Sequence, residues 1–553
     1  MSRVAIVRPP TILHQAMLNS SQGVPSIGVA YLAGSLKAAG HQVVVIDAFG
    51  EAVHRFTRLG SSSLLINGLP AREIVERIPT DVDLIGVSCM YSNEWVYYKV
   101  VIQAIFDAFP GVVVVAGGEH VTADPEYVLT CCPGLHSCVL GEGEETFVEL
   151  LDAIADGRPM EAINGLVFID AGRDVVRTKP RSRLRAVDEI PIPSWEETPL
   201  ENYLTNGLGM ASVRGRNMPM IASRGCPYQC TFCSNPEMWT QYWVARDPRQ
   251  VVEEMKLWTA QYQVRHFEFY DLTAVVRRQW IVEFTDILLA ERLDITWALP
   301  SGTRSEALDA EVVDRLYRTG CHELTYAPES GSPATLKRIK KEVSIRKMLA
   351  SMRAAVRRGI LIKANMIFGF PGQTKWEILQ SFWFMMRLAA IGVQDVAAFP
   401  FVPYPGSELF KQLVAEGQID KTGLRYEAFL TGNVYNEVSG MKSWSEHVTD
   451  RGVKLLSVGG MAGFYAIQFL LRPWRLAKSV YRLTTQRPRT MLERTFDGVG
   501  RNFIQGRRRR VREIEPPSAA SFEAPVPPSA DASVAVRSGQ LAADRMDGRG
   551  IDQ

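Results

Sequence analysis

The feature that most restricts how this chain can fold is an alternation, played out twice, of short continuous apolar runs with helical stretches. In the first series "VAIV" (4–7) and "QVVVIDA" (42–48) flank "IGVAYLAGSLKAAG", which stops at Gly40; "DLIGVSC" (83–89), a helical run around "VVIQAIFDAF" and "VVVVAGG" (112–118) follow. Runs that are apolar at every position suit parallel strands covered by helices on both faces. The expectation is a doubly wound α/β domain over residues 1–155, with ligands at the carboxyl ends of its strands. Those ends read "VRPP", "VSCMYS" and "AGGEHVT", and a further loop reads "LGEGEETF".

The second series starts near Met218. "MPMIAS", "HFEFYDL" (266–272), "DITWALP" (294–300), "HELTYAPE" (322–329), "IKANMIFGF" (362–370) and "VQDVAAFPF" (393–401) are separated by stretches such as "PRQVVEEMKLW" and "WIVEFTDILLAERL". Six strand–helix units predict a partial (β/α)6 barrel over 217–445, its chemistry at the strand C-termini. Residues 156–216 read as a connector, with a hairpin around Ala171-Gly172. Residues 446–512 read as a helical basic region, and 513–553, rich in Ala, Pro, Ser and Asp without apolar periodicity, as a disordered tail.

At 553 residues and a net charge of +2, the whole-chain balance argues neither for nor against nucleic acid. The N-terminus lacks the layout of a secretory signal, and no uninterrupted apolar run of about 18 residues is present. The eight cysteines form no regular framework for so long a chain. Reduced thiols in a cytoplasmic protein are expected, and clustered ones point to metal or redox chemistry.

The cluster lies in "SRGCPYQCTFCSNP" (223–236), where Cys226, Cys230 and Cys233 fall within eight residues. Thiolates at such density bind zinc, iron–sulfur clusters or copper, or form disulfides. A structural zinc site wants four ligands, and no nearby His or Cys completes one. Three thiolates on a four-iron cluster leave one iron open, as a catalytic zinc keeps an open position.

The spacing Cys-x-x-x-Cys-x-aromatic-Cys, in the first loop of a strand–helix barrel, resembles the radical S-adenosylmethionine (SAM) superfamily. The resemblance implies a [4Fe-4S] cluster on Cys226, Cys230 and Cys233 whose open iron is chelated by SAM. It implies one-electron cleavage of SAM to methionine and a 5′-deoxyadenosyl radical, with Phe232 against the adenine. The later strand ends are similar too: Asp271 in "FYDLT", Arg304 in "TRSE", Glu329 and Ser330 in "APESGS", Ile367 and Gly369 in "IFGFPGQT", all implied SAM contacts. Each alone reads as a salt-bridged residue or a turn; their order after the cysteine loop makes the pattern.

An α/β domain ahead of such a barrel resembles the cobalamin-binding class of radical SAM enzymes. Ser88, Met90, Gly117, Gly118, Glu119, His120, Gly141 and Glu142 are the implied cobalamin contacts. The Asp-x-His-x-x-Gly motif that supplies cobalt with an axial histidine is missing, since His14 has no Asp two residues before it; the expectation is cobalamin held without a histidine ligand. A different nucleotide is the rival reading, weakened because no Gly-x-Gly-x-x-Gly follows the first strand.

Residues 472–512 carry a net charge of +11 with Trp474, Tyr481 and Phe503 interspersed. Three readings stand: a peripheral element at the inner face of a membrane, a helical domain with a solvated basic face, and, least favoured, nucleic-acid binding. The resemblance implies a cobalamin-dependent radical SAM C-methyltransferase acting on a small apolar substrate, such as a hopanoid-like polycyclic lipid or a tetrapyrrole. A flavodoxin or ferredoxin would donate its electrons. One alternative is a non-methylating enzyme of the magnesium-protoporphyrin monomethyl ester oxidative cyclase type; another is a cluster- and cobalamin-binding sensor or scaffold.

Overall fold

Both apolar series form parallel sheets. The computed structural model describes residues 1–14, 23–60, 62, 64–212, 215–432, 442–485, 488–497 and 512–514. In the first sheet β1 (Arg3–Arg8), β2 (Gln42–Asp47), β3 (Leu84–Ser88), β4 (Val113–Gly117) and β5 (Ser137–Val139) lie parallel in the order β2-β1-β3-β4-β5. The reversal of direction beside β1 is the switch point of a doubly wound sheet. Helices α1 (Ile27–Ala38), α2 (Trp95–Ala108) and α3 (Glu144–Asp156) cover it. One face packs Val4, Ile6, Leu84 and Val115 with Leu36 and Phe147; the other packs Ala5, Val7, Ile85 and Val114 with Val101 and Ile105. Two buried faces are why the strand sequences do not alternate.

The predicted connector does more than connect. Its hairpin, β6 (Leu166–Ile169) and β7 (Val175–Arg177), joins the first sheet antiparallel beside β5. A small sheet built from Thr11–His14, Phe56–Leu59, Leu64–Asn67 and Arg512–Ile514 stands apart from both large sheets. The first residues of the predicted tail are therefore a short strand; 515–553 lie outside the described residues.

The second sheet runs β8 (Asn217–Met220), β9 (His266–Phe269), β10 (Thr296–Thr303), β11 (Cys321–Glu329), β12 (Leu361–Phe368) and β13 (Asp395–Pro400), every neighbouring pair parallel. Helices α4 (Pro248–Tyr262), α5 (Arg278–Glu291), α6 (Ala310–Arg318), α7 (Ile345–Arg358) and α8 (Lys375–Ile391) cover its outer side, as a partial barrel requires. Two more helices, α9 (Asp450–Leu471) and α10 (Pro473–Thr484), follow; α9 packs on α8 and β13. Near the start of β13 the carboxylate of Asp395 accepts the backbone N–H groups of Met491 and Leu492, at 2.9 and 3.4 Å, and the Tyr465 hydroxyl at 3.0 Å. The basic C-terminal region is thus tied to the barrel.

Candidate active site

The cysteine loop leaves β8 through Ala222 and Ser223, and Asp271 holds both. The Asp271 carboxylate accepts the Ala222 N–H at 3.0 Å and the Ser223 hydroxyl at 2.6 Å; it is buried, and desolvation raises its pKa to about 6. Asp271 was expected to meet SAM. The structure spends it on aiming the loop instead. Gly225 then turns at φ +82°, and a side chain there would strike the Tyr242 carbonyl at 2.0 Å, so only glycine fits. Further on, the Thr231 N–H donates to the Ile339 carbonyl at 3.1 Å and the Cys233 N–H to the Cys230 carbonyl at 3.1 Å.

The three thiols are free and half-buried. They are close enough to couple: the Cys226 charge raises the pKa of Cys230, and Cys226 and Cys230 both raise that of Cys233, although burial is the larger cause in each case and takes Cys233 to about 12. Thiols raised in this way need positive charge nearby to ionise. Among the described residues no three His, Cys, Asp or Glu side chains converge on a single-ion site. Three cysteine sulfurs on one partly buried loop are donors of the kind iron–sulfur clusters use.

Around Cys230 stand Glu329, Lys341 and Arg304, whose charges all act on its pKa. Glu329 ends β11 at φ +60°, and Lys341 Nζ lies 2.9 Å from its carboxylate and 5.9 Å from the Phe232 ring centre. The Phe232 ring lies tilted against Phe370, their centres 5.7 Å apart. Arg304 lies over the Tyr228 ring at 3.5 Å and donates to the Glu342 carbonyl. Lys341 was missed in the sequence. It follows Lys340, and nothing local separates the two. The chain takes φ +51° at Lys340, whose Nζ turns out to Glu408 at 2.6 Å while Lys341 turns in.

Ser330 does not fill the role expected of it. Its hydroxyl, fully buried, is 2.9 Å from Ser381 Oγ on α8 and accepts the Ser332 N–H at 3.1 Å, so it fixes the turn after β11. Ile367 is buried near the end of β12, and the Gly369 N–H is taken by Gln373 Oε1 at 2.8 Å.

The strand ends of the first sheet face this loop. Glu119, just past Gly117 and Gly118, accepts the hydroxyl of Ser234, the residue after Cys233. Gly118 sits at φ +118°, with the Cys89 carbonyl 2.6 Å from where a Cβ would stand. At Gly117, in contrast, an added Cβ would meet nothing closer than the Val139 carbonyl at 3.5 Å, an ordinary contact. Protein packing does not demand glycine there, so its smallness leaves free space at the strand ends, which suits a bulky ligand along the sheet edge. Ser88 is half-buried beside it, and Gly141 gives its N–H to Thr122 at 3.0 Å.

Two expected cobalamin contacts are otherwise engaged. Glu142 accepts Arg183 Nε at 2.6 Å, the Leu184 N–H at 3.0 Å and Arg224 Nη1 at 3.2 Å, all from buried or nearly buried partners. It is a clamp that ties the first domain to the cysteine loop. His120 points into its own domain: its Nδ1 is 2.9 Å from Ser92 Oγ, its ring packs 4.8 Å from Trp95, and burial lowers its pKa to about 3. It is a neutral core histidine.

Tyr91 and Met90, which follow β3, are exposed at 51 % and 39 %. Tyr270, at the end of β9, feels the charges of Tyr91 and of Arg8 at the end of β1. Leu272 adds apolar surface after Asp271.

Comparison with known proteins matches this layout. Residues 14–151 match the B12 binding domain family, and residues 220–384 the radical SAM superfamily. An uncharacterised methyltransferase of Pyrococcus horikoshii is 28 % identical over 480 residues, 87 % of this chain and 95 % of the relative. An anaerobic magnesium-protoporphyrin IX monomethyl ester cyclase of Rubrivivax gelatinosus is 26 % identical over 397 residues, 70 % of this chain and 66 % of that protein. The structure of the radical S-adenosylmethionine methyltransferase TsrM from Kitasatospora setae has the same fold, with a TM-score of 0.61 at 17 % identity, over 84 % of this chain and 89 % of that one.

Proposed function

The chain is a cobalamin-binding radical SAM enzyme, and from that premise we propose that it is a C-methyltransferase acting on an unactivated carbon of an apolar substrate. The observation that carries the reading is the clamped opposition of the two sets of strand ends. Glu142 with Arg183 and Arg224, and Glu119 with Ser234, hold the B12-type domain against the cysteine loop.

In this reading Cys226, Cys230 and Cys233 hold the cluster, and Asp271 aims their loop through Ala222 and Ser223. Lys341 and Arg304 offer positive charge to a carboxylate, Glu329 offers an acceptor to hydroxyls, and Phe232 offers a ring face to an adenine. Ser88, Met90, Gly117, Gly118 and Glu119 border the space for cobalamin. Bound there, the cluster and SAM supply hydrogen-atom abstraction and cobalamin supplies a methyl group. The protein's part is to orient the reactants and keep water out of the space between Tyr91, Met90, Tyr270 and Leu272. Those apolar and aromatic walls favour a substrate of the same character, and a low-potential donor such as flavodoxin or ferredoxin would feed the cluster.

The similarity to a magnesium-protoporphyrin cyclase supports a second reading, the same cofactors without methyl transfer. Anaerobic reconstitution with iron, sulfide and cobalamin, followed by SAM and reductant, separates the two. S-adenosylhomocysteine and 5′-deoxyadenosine in similar, substrate-dependent amounts support methylation; deoxyadenosine alone supports the cyclase reading. Cys230→Ala should lose both cluster and cleavage, and retained cleavage would sink the cluster assignment.

A further inference from the structure

The last two long helices leave apolar side chains facing outward. A surface helix in water turns its apolar stripe to the core and its charges to solvent. On α10 the half-buried, inward positions are Arg475, Ser479, Arg482 and Leu483, mostly polar, while Trp474, Leu476, Val480 and Tyr481 are exposed, Tyr481 at 67 %. The inner face of α9 is packed normally: Val453, Ser457, Gly460, Phe464 and Gln468 are buried, and Gln468 Nε2 donates to the Val393 and Gln394 carbonyls at 2.6 and 2.9 Å. Its outer face, however, shows Leu455, Val458, Leu470 and Leu471, with Leu470 at 81 %. Between Lys454 and Arg472 no residue is charged. On α8, against which α9 packs, Trp376 and Trp383 stand exposed two turns apart.

Exposed apolar surface on this scale marks a place of contact, and three observations say with what. Trp376, Trp383, Trp474 and Tyr481 are the side chains that favour the boundary between water and hydrocarbon. The cations lie beside the apolar band. Trp474, Arg475, Lys478, Ser479 and Arg482 line a cavity of about 250 Å³ beneath α10. The fully buried Glu493 carboxylate accepts the Ser479 hydroxyl at 2.6 Å and pairs with Arg482 at 3.4 Å, and Arg475 donates to the Gly392 carbonyl at 2.9 Å, so the exposed Lys478 is the cation of this lining open to an anion.

We propose that the outer faces of α9 and α10 dock on an anionic lipid bilayer, lying along its surface, with the exposed Lys478 meeting lipid phosphate. By length and composition α9 is the one helix among the described residues that meets the requirements for crossing a membrane. Its packing on α8 and β13 makes it an interfacial helix of the barrel instead.

The test is vesicle sedimentation of the reconstituted full-length protein. Vesicles of phosphatidylcholine with phosphatidylglycerol should bind it at least about tenfold more tightly than phosphatidylcholine alone, a preference that shrinks as salt rises. Leu476→Glu with Val480→Glu should lower binding by about tenfold or more while SAM cleavage is unchanged. Lys478→Glu should reduce the preference for anionic vesicles specifically. The proposal is overturned if anionic vesicles fail to sediment the protein or if the double variant binds as the parent does. It is equally overturned if light scattering shows a dimer that the double variant dissolves, since the face would then belong to a second copy.

Discussion

Replacing Glu142 with alanine leaves Arg183 and Arg224 as buried cations around an empty site. Removing one partner of a buried ion pair costs about 3–5 kcal/mol. Here Arg224 keeps Glu144 at 2.6 Å and Arg183 keeps the Trp239 carbonyl, so the low end, about 3 kcal/mol, is the expectation. Glu142→Gln retains one oxygen acceptor but no charge and should cost less, about 2 kcal/mol. A chain of several domains does not unfold as one unit, so a global denaturation midpoint is the wrong readout. The clamp holds the cysteine loop, and the loss belongs in its local opening. Anaerobic hydrogen exchange followed by mass spectrometry can read the Thr231 and Cys233 amides, which are bonded to the Ile339 and Cys230 carbonyls. A loss of about 3 kcal/mol accelerates their exchange about 100-fold, since each 1.4 kcal/mol is tenfold. Iron loading should fall in parallel. If Glu142→Ala exchanges these amides at the parental rate, Glu142 is not the clamp and the coupling of the domains must lie elsewhere.

Three further outcomes follow from the same geometry. The unfolded His120 imidazole takes up a proton near pH 6.5 and the buried one only near 3, so stability is full above about 6.5 and falls as the pH drops, by up to about 1.4 kcal/mol per unit. Glu94 and Glu268, raised to about 7 by burial, act in the opposite sense. The check is therefore a difference: hydrogen-exchange protection of the first sheet's core amides should fall less between pH 6.5 and 4 in His120→Gln than in the parent. Lys341→Met removes the ammonium beside Glu329 and Cys230 and should weaken SAM binding by about 1.5–3 kcal/mol in titration calorimetry, the worth of a charge-assisted bond. Gly118→Ala forces a side chain at φ +118° onto the Cys89 carbonyl, and cobalamin uptake followed by its visible absorbance should drop while the barrel keeps its iron.

Much of the fold was written in the sequence because parallel strands buried on both faces cannot hide. The barrel strands β8 to β13 read as short strand patterns bounded by turn residues even where Glu268, Glu323 and Lys363 interrupt them, and the hairpin at Ala171-Gly172 pairs Ile169 with Val175 as expected. That this hairpin extends the first sheet was not legible, since a free edge on β5 leaves no local mark. The cysteine triplet was legible because the density of thiols is local. The protein contacts of Glu142, Ser330 and His120 were not legible for one reason: their partners lie far along the chain or across a turn. Glu142 meets arginines 41 and 82 residues away. Ser330 meets Ser381 on a helix 51 residues on. Motif position names a residue near the site, whereas direction is set by packing. Lys341 shows the converse, a residue hidden in a lysine pair until a positive φ at Lys340 separates the two side chains.

The measurement closest to the central claim is anaerobic turnover with SAM whose methyl group is fully deuterated, run on apolar candidate substrates and read by mass spectrometry. The account predicts a product in which one CD3 group has replaced one hydrogen, formed together with 5′-deoxyadenosine and absent when Cys230 is alanine. Deoxyadenosine accompanied by a product free of deuterium would contradict methyl transfer and leave the cyclase-type reading in its place.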